Sequence, residues 1–361
     1  MARVTILAGR RLEVGLDPSL GVHKFHSHWG SRLGGVPIGV AIGTGLLLDA
    51  WLSGIDTSFS VAFIVCMLPA FGIGMAEDLT AKAGVATRLV FTMISSALGW
   101  WLLLGKLTRI DVPQVDLLLA SVPLAAFVLT LVASAGVAHA VNIVDGYNGL
   151  SGFYSVVVFL SLAYVGWQVN DVMIVHVSLL FAAAVLGFLY WNFPYGLIFL
   201  GDAGAYVVGF AVGELSILLV SRNPEVSAWC PMLLAVYPVT ETLFAIYRKQ
   251  WLRGISPGLP DGLHFHMLIY KRLMKLRFAD NASRQMLMRN SATSPYLWII
   301  TLVTAAPAVM LWNHREPLMA ACAIFALAYL WLYWRIIRFR TPRFLVLRGN
   351  LVRSSLADRR A

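Results

Sequence analysis

The chain has 361 residues, of which 59% are apolar and 13% are charged, and its mean hydropathy is +0.74. Soluble globular proteins are much more polar than this, so the composition excludes a water-soluble enzyme or binding domain. The net charge of +10 is high enough to suggest nucleic-acid binding. In a membrane protein, however, basic loops beside anionic lipid headgroups explain such a charge. We therefore expect a membrane protein with membrane lipids and no nucleic acid among its partners.

Apolar runs long enough to cross a bilayer recur along the whole chain. About 20 apolar residues in a helix span the hydrocarbon core, and lipid leaves no partner for unpaired backbone groups, which favours helices. The sequence thus predicts an all-α, polytopic integral membrane protein with about ten spanning helices. The predicted spans are 34–53, 56–76, 88–105, 115–137, 149–168, 172–191, 203–221, 227–247, 296–312 and 317–338.

No polar stretch is long enough to form a separate folded domain. We divide the chain into an N-terminal segment, 1–33, a membrane domain, 34–338, and a basic tail, 339–361. The longest loop is 248–295. The first 33 residues contain no apolar run of signal-peptide length, so we expect insertion to use internal spans. The three cysteines fall inside predicted spans without ligand spacing, which is typical of buried apolar residues.

The basic residues are distributed unevenly between the two sides of the predicted bundle. An even number of spans puts both termini on one side, and that side receives all but four of the 28 lysines and arginines. The exceptions are Lys106, Arg109, Arg222 and Arg315. By the positive-inside rule, both termini of this multi-pass chain are predicted to be cytoplasmic.

Four clusters of polar residues stand beside the predicted helix ends. They are Gly74 to Asp78 with Arg88 ten residues further on, Asn142 to Leu150, Asn192 to Gly204, and Pro260 to His266. All four fall on the predicted cytoplasmic side, although the topology was oriented without them. Ionisable residues in membrane chains are costly and commonly functional, so this shared side indicates one common site.

The residue types in the clusters suit phosphate chemistry with a divalent cation. Acidic residues such as Glu77, Asp145 and Asp202 offer oxygen ligands for Mg²⁺, which also takes phosphate oxygens and water. A metal so placed neutralises charge in phosphoryl transfer. Nearby glycines permit close approach of the backbone to a phosphate, or simply form turns. The earlier run His23, His26, His28 has no acidic partner nearby, which favours an interfacial basic segment over a metal site.

At this point the chain resembles the polyprenyl-phosphate N-acetylhexosamine-1-phosphate transferases, over about residues 23 to 335. Residues 74–78 (G-M-A-E-D) are similar to the family's G-x-x-D-D pair, and 142–150 to its N-x-x-D-G-x-x-G-L stretch. Residues 192–204 resemble N-x-x-P followed by F-x-G-D-x-G. Residues 260–266 resemble the histidine loop, and 31–35 (S-R-L-G-G) the P-R-x-G-G segment. Five motifs in the same order make a specific signal.

The resemblance implies an activity and its partners. Family members transfer a sugar 1-phosphate from a UDP-N-acetylhexosamine to undecaprenyl phosphate, release UMP and use Mg²⁺ or Mn²⁺. The product starts a lipid-linked glycan such as O-antigen in lipopolysaccharide biosynthesis or a cell-wall polymer. The sugar-lipid initiators fit better than the peptidoglycan translocase, whose histidine loop is denser. The particular sugar, the glycan pathway and whether the protein is a homodimer are left open.

The resemblance also implies roles for particular residues. The expected catalytic residues are Glu77, Asp78 and Asp202, with Asp202 and Asp78 also as metal ligands. The expected binding residues for the nucleotide sugar are Asn142, Asp145, Asn148, Asn192, His264 and His266.

Three features depart from the family pattern. Glu77 replaces the first aspartate of the pair, Gly262 and Met267 stand where arginine and histidine are usual, and members commonly have one more span before residue 31. The first two leave open a catalytically weakened member. A transporter is the alternative from another class, since it also uses intramembrane carboxylates and broken helices. It predicts charges near mid-span and related halves, whereas the sequence places the charges on one face.

Overall fold

The computed structural model describes residues 1–12, 30–53, 56–256, 258–259, 261–279 and 281–350. Within these ranges the chain is almost entirely helical, with one short pair of strands. The α-helices are α1 (Ala2–Leu12), α2 (Gly35–Ser53), α3 (Thr57–Thr80), α4 (Val85–Leu98), α5 (Pro113–Ser121), α6 (Pro123–Val144), α7 (Leu150–Gln168), α8 (Val172–Asn192), α9 (Gly201–Arg222), α10 (Trp229–Leu234), α11 (Val236–Tyr247), α12 (Phe265–Leu268), α13 (Ala282–Met310) and α14 (Arg315–Ile337).

Most of these helices have the length and composition of membrane spans. In the described part of the chain, nine helices meet both conditions: α2, α3, α4 with its π-helical continuation to Leu103, α6, α7, α8, α9, α13 and α14. The predicted all-α, polytopic membrane fold is confirmed. Cys66, Cys230 and Cys322 are buried and form no disulfide, as expected for apolar packing residues.

The eighth predicted span, 227–247, differs from the expectation because it is broken into two short helices. Helix α10 ends at Leu234 and α11 begins at Val236, with Ala235 between them. Pro238 explains the break, because proline has no N–H to donate and its ring clashes with the carbonyl four residues earlier, which here is Leu234. The two helices together still cover the length that the sequence predicted.

Two further boundaries differ from the hydropathy-based prediction. The span predicted at 115–137 lies at 123–144, because Pro123 starts a new helix after the short α5. The loop predicted at 248–295 ends early, since α13 already begins at Ala282, fourteen residues before the predicted span. Asn281 caps this helix by accepting hydrogen bonds from the N–H groups of Ser283 and Arg284, and its first turns are too polar for a hydropathy criterion.

The remainder of that loop is held against the bundle by short regular elements. π-Helical turns at Arg248–Leu252 and Ile269–Leu273 stand on either side of α12. Strand β1 (Met274–Arg277) then pairs in parallel with β2 (Leu347–Asn350), so the start of the predicted basic tail joins the loop. The remaining tail residues, 351–361, lie outside the described residues, as do His23, His26 and His28.

Helix α9 is the central element of the bundle. In its most apolar stretch of 18 residues, 94% are buried inside the protein, compared with 22% for α14. Its N-terminal end approaches α2 and α3 at van der Waals distance through glycines. A Cβ on Gly35 would lie 2.5 Å from the Gly204 nitrogen, and one on Gly74 would lie 2.4 Å from the Ala203 nitrogen. No larger residue fits at either position, which explains these motif glycines by helix packing.

Candidate active site

A cavity of about 380 Å³ opens at the N-terminal end of α9. It receives residues from all four polar clusters of the sequence, which are up to about two hundred positions apart. Seven of the nine predicted site residues line it: Asn142, Asp145, Asn148, Asn192, Asp202, His264 and His266. Glu77 and Asp78 lie behind its wall, and Arg32 and Arg88 add two cations to it.

Asp78 fastens the N-terminus of α9 from the neighbouring helix α3. Its Oδ1 accepts the Asp202 N–H at 2.9 Å, and its Oδ2 accepts the Ala203 N–H at 2.9 Å. The first N–H groups of a helix have no partner within the helix, and a carboxylate there is also favoured by the helix dipole. The side chain is 5% exposed. In this geometry Asp78 positions Asp202 rather than facing the cavity itself.

Asp202 presents its carboxylate to the cavity from the first turn of α9. Arg88 donates to its Oδ2 at 2.6 Å, and the Asn142 side-chain amide donates to its Oδ1 at 3.2 Å. Glu77 Oε1 lies 4.0 Å from the same Arg88 nitrogen, and its second oxygen accepts the Ala83 N–H at 2.7 Å. Glu77 therefore holds Arg88 and the turn after α3, while Arg88 holds Asp202.

Asn192 and Asn148 connect the loops that form the cavity wall. Asn192 accepts the Gly149 N–H at 2.5 Å and donates to the Ile198 carbonyl at 2.8 Å, so it ties two motifs together. Asn148 donates to the Pro194 carbonyl at 3.1 Å. Both amides are at least 95% buried. The sequence predicted contacts with a nucleotide sugar for these residues, and the structure shows loop-to-loop hydrogen bonds.

Asp145 follows the last turn of α6 and faces the same cavity. Ser151 donates a hydrogen bond to its Oδ1. Burial raises the pKa of Asp145 to about 6, since the hydrogen bond from Ser151 offsets only part of the cost of desolvating the charge. A carboxyl group that titrates near neutral pH inside a polar cavity is typical of functional sites.

His264 is oriented by a buried carboxylate that the sequence analysis did not identify. Its Nδ1 lies 2.8 Å from Oε1 of Glu241, which also accepts the Phe265 N–H and, on Oε2, the Tyr329 hydroxyl at 2.8 Å. A carboxylate on one ring nitrogen fixes the tautomer and turns the other nitrogen outward. Glu241 thus orients a histidine that lines the cavity.

His266 stacks on His264, with ring centroids 5.4 Å apart and planes 4° from parallel. The ring of Tyr147 meets it edge-on at 5.6 Å. A Cβ on Gly146 would lie 3.0 Å from the His266 Nε2, so the glycine allows the imidazole to pack against the loop after α6.

Residues 261–266, which we call the histidine segment, are anchored at their start by a buried ion pair. Arg248, 3% exposed, bonds to Asp261 and also donates to the Tyr333 hydroxyl at 2.8 Å. Burial opposes ionisation of Asp261, but the hydrogen bond and charge of Arg248 outweigh it and lower the pKa of that carboxyl. Pro260, the first residue of the motif, lies outside the described residues.

Two glutamates inside helices correct the expectation that the charges cluster on one face. Glu241 lies in α11, and Glu214 lies in the middle of α9, fully buried. The Glu214 carboxylate packs against Gly99 and Gly105, and in the described part of the chain neither oxygen has a hydrogen-bond partner. Both residues stand in predicted spans, where a lone carboxylate is itself a signal of function. That signal was present in the sequence and was not used.

The donor set of the cavity fits a hard divalent cation shared with a substrate. Asp202 offers carboxylate oxygen at a point where a cation, Arg88, already sits 2.6 Å away. Mg²⁺ needs only one or two protein carboxylates when phosphates and water complete its shell. In the described part of the chain, no group of three or more histidine, cysteine or acidic residues is placed to hold a metal ion.

The sequence comparisons agree with this geometry. Residues 60–220 match the model of glycosyl transferase family 4. A probable undecaprenyl-phosphate N-acetylglucosaminyl 1-phosphate transferase of Bacillus subtilis is 29% identical, over 67% of this chain and 66% of its own length, slightly under two thirds.

Two further relatives carry related names. A decaprenyl-phosphate N-acetylglucosaminephosphotransferase of Mycolicibacterium smegmatis is 26% identical, over 80% of this chain and 74% of its own. An undecaprenyl-phosphate alpha-N-acetylglucosaminyl 1-phosphate transferase of Escherichia coli K12 is 28% identical, over 59% and 57%. With the motifs gathered at one cavity, these matches show that the chain is similar to glycosyl transferase family 4 over somewhat less than half of its length, and to relatives named as undecaprenyl- and decaprenyl-phosphate N-acetylglucosamine-1-phosphate transferases.

Proposed function

We propose that the protein transfers an N-acetylhexosamine 1-phosphate from a UDP-sugar to undecaprenyl phosphate and releases UMP. The product would start a lipid-linked glycan, such as O-antigen or a cell-wall polymer. The reaction would take place at the cytoplasmic face of the bacterial inner membrane, with both chain termini on that side. N-Acetylglucosamine is the sugar named in the relatives, and we take it as the first donor to test.

The observation on which the proposal rests is the convergence of Asp202, Arg88, Arg32 and the histidine segment on one cavity. Its volume of about 380 Å³ is in the range of small-molecule sites. Two guanidinium groups and two imidazoles suit a diphosphate, because charged donors bind phosphate oxygens strongly. The carboxylates Asp145 and Asp202 stand among these cations, which suits a site for a metal and a phosphate together.

The chemical step is a displacement at phosphorus. An oxygen of the polyprenyl phosphate forms a bond to the β-phosphorus of the UDP-sugar. The bond from that phosphorus to the oxygen shared with the α-phosphorus breaks, and its electron pair leaves with UMP. Such transfers depend on alignment and on stabilising the charge of the phosphoryl group. Arg88 and Arg32 would supply positive charge, and His264, held by Glu241, would bind the diphosphate.

Asp202 is the residue that would hold Mg²⁺, or Mn²⁺ in its place, together with phosphate oxygens of the donor. When bound, the ion neutralises negative charge on the diphosphate. Arg88 would then move from the Asp202 carboxylate toward the phosphates. Asp78 would support the ion indirectly, since both of its oxygens bind the backbone of α9. Glu77 would act through Arg88, 4.0 Å away.

The proposal is tested with purified protein in detergent, undecaprenyl phosphate and a panel of UDP-N-acetylhexosamines. UMP release and sugar-lipid formation are measured with Mg²⁺, with Mn²⁺ and with chelator. We expect equal amounts of UMP and sugar-lipid, lost with chelator and restored by added Mg²⁺. Folded protein that forms no sugar-lipid with any donor contradicts the proposal.

A counterflow assay separates the enzyme from a transporter. Proteoliposomes loaded with a UDP-sugar but containing no undecaprenyl phosphate should show no exchange of labelled UDP-sugar across the membrane. Exchange without the lipid acceptor would favour the transporter instead.

A further inference from the structure

One face of α13 is bonded to the loops that form the cavity wall. Asn290, Ser291, Ser294 and Trp298 are spaced so that they lie on the same side of the helix. Each of the four side chains makes a hydrogen bond outside its own helix, to the loop after α6 or to the loop after α8. We call these four residues the loop-facing side of α13.

These bonds engage both the N–H and the carbonyl groups of the loop after α6. Asn290 Oδ1 accepts the Asn148 N–H at 2.9 Å, and the Ser294 hydroxyl donates to the Asn148 carbonyl at 2.6 Å. Trp298 Nε1 donates to the next carbonyl, that of Gly149, at 3.0 Å. A segment whose N–H and carbonyl groups are fixed by one helix cannot shift without leaving buried polar groups unpaired, which is costly.

Ser291, on the loop-facing side, also bonds to the loop after α8. Its hydroxyl donates to the Pro194 carbonyl and accepts from the Asn148 side-chain amide at 3.3 Å. The indole of Trp298 stacks on Phe153, with centroids 4.3 Å apart, and contacts Phe193 at 4.9 Å. The loop-facing side therefore fixes the two loops relative to each other as well as to α13.

Other hydroxyls of α13 form a natural contrast. Thr293 Oγ1 donates to the Arg289 carbonyl at 2.8 Å, and Thr304 Oγ1 donates to the Thr301 carbonyl at 3.0 Å, both within the helix. Thr293 is as buried as its neighbour Ser294. Burial alone thus does not distinguish the loop-facing side. What distinguishes the loop-facing side is that its side chains bond to the cavity wall and not to their own helix.

The held loops carry residues of the cavity itself, including Asp145, Asn148 and Asn192, and Asn290 lines the cavity directly. We propose that the loop-facing side of α13 is a positioning element of the active site, which sets the wall on the side of the nucleotide-sugar donor. Its kinetic consequence rests on the proposed function. The helix lies beyond residues 60–220, which match the family model, so the core motifs depend on a later part of the chain for their geometry.

The inference is tested by removing single bonds from the loop-facing side. Ser294→Ala deletes the donor to the Asn148 carbonyl, and Asn290→Leu deletes the acceptor for its N–H. We expect each to raise the KM for the UDP-sugar about tenfold, the size expected for one lost buried bond. The kcat should change less than about threefold, and the KM for undecaprenyl phosphate should be unchanged.

Conservative variants and a matched control accompany these changes. Asn290→Asp keeps an oxygen that accepts the Asn148 N–H, and Ser294→Thr keeps the hydroxyl, so both should recover most of the donor KM. Thr293→Ala, one residue from Ser294, should leave both KM values within about twofold of the unmodified protein. If Thr293→Ala raises the donor KM as much as Ser294→Ala does, the effect is general to the helix and the inference is overturned.

Amide hydrogen exchange gives a measurement that is independent of turnover. Ser294→Ala should speed exchange in peptides that cover residues 145–149 and 192–196, and Thr293→Ala should not. If these peptides respond but the unmodified protein transfers no sugar phosphate, the positioning role stands and the proposed function fails. If the protein is active but neither exchange nor donor KM responds to Ser294→Ala, the positioning role fails.

Discussion

The two ends of α9 are held by charged side chains of opposite sign. At the N-terminal end, the Asp78 carboxylate accepts two backbone N–H groups. At the C-terminal end, one nitrogen of Arg109 donates to the carbonyls of Val220, Asn223 and Val226, at 3.2, 3.2 and 2.7 Å. Each charge complements the helix dipole and the unpaired backbone groups at its end. Capping is thus common to both ends and does not mark the active site.

The other carboxylates at the two ends differ in what surrounds them. Asp111 and Asp171, near the C-terminal end, accept hydrogen bonds from Ser227, Arg222 and Asn223. Burial opposes their ionisation, but these bonds outweigh it and lower the pKa of both carboxyls. At the other end, burial dominates.

There the pKa of Asp145 is raised to about 6, and Asp202 faces the cavity. Asp145 and Asp202 line the polar cavity and are available to a ligand, whereas Asp111 and Asp171 do not line it and have structural contacts.

The largest expected effect is a difference in activity between variants at the two ends of α9. Under the proposed function, Asp202→Asn should lower kcat/KM by roughly 100- to 1000-fold, because it would remove a charge that acts on the reacting phosphates. Asp171→Asn, the matched change at the other end, should lower the thermal unfolding temperature and keep kcat/KM within about threefold. UMP release and thermal unfolding are measured on both. Equal losses of activity would refute the distinction.

The next effect concerns the histidine segment. Glu241→Gln should lower kcat/KM by roughly 10- to 100-fold, the size seen when the partner that orients a functional histidine is changed. Tyr329→Phe removes a hydroxyl from the same carboxylate but leaves the contact with His264, so its loss should be smaller. A Glu241→Gln enzyme with normal kcat/KM would show that His264 needs no such orientation.

A third variant tests only the C-terminal end of α9. Arg109→Ala should lower the free energy of unfolding by about 1–3 kcal/mol, because three carbonyls lose a charged donor. The kcat/KM at low temperature should remain within about twofold of the unmodified protein. Chemical or thermal unfolding in detergent gives the first quantity and UMP release the second. A large fall in activity without a fall in stability would link this end to catalysis.

The last prediction concerns the pH dependence of activity. Because the folded-state pKa of Asp145 is about 6, kcat/KM should fall up to about tenfold per pH unit below pH 6, if its carboxylate binds the donor or metal. Asp145→Asn should abolish this dependence at the cost of a lower plateau.

Stability should move in the opposite direction over that window. A raised carboxyl pKa favours the protonated folded state, so this group stabilises the fold as the pH falls from 6 toward 4. Asp111, Asp171 and Asp261, whose pKa values are lowered, lose their contribution only at lower pH. Activity that falls in step with the unfolding temperature between pH 7 and 5 would contradict this assignment.

The fold was largely predictable because hydropathy reports burial in lipid directly. Prediction from hydropathy was wrong at Pro123 and Pro238, where the missing N–H breaks a helix inside an apolar run. The prediction from hydropathy was also wrong at Ala282, where a side-chain cap starts a helix among polar residues.

The candidate site was predictable in its membership and less so in its contacts. Seven of the nine residues that the motifs indicated line the cavity, but residue type does not say which partner a side chain takes. Asn192 and Asp78 bind backbone groups of other segments, which requires knowing how distant loops meet. Glu241 belongs to none of the five motifs, and the signal that could have identified it is a lone carboxylate inside an apolar span. The roles of these residues in catalysis stay predictions.

The glycine contacts of α9 have a consequence for turnover. With Gly35 and Gly74 packed against its backbone and a charged side chain at each end, we expect α9 to move little during turnover. Under the proposed function, release of UMP should then need movement elsewhere, and we expect it in the histidine segment, whose start is held by side-chain contacts of Glu241, Arg248 and Tyr333. Spin labels on this segment and on α9 should report changing distances when UMP is added, and unchanged distances would reject the idea.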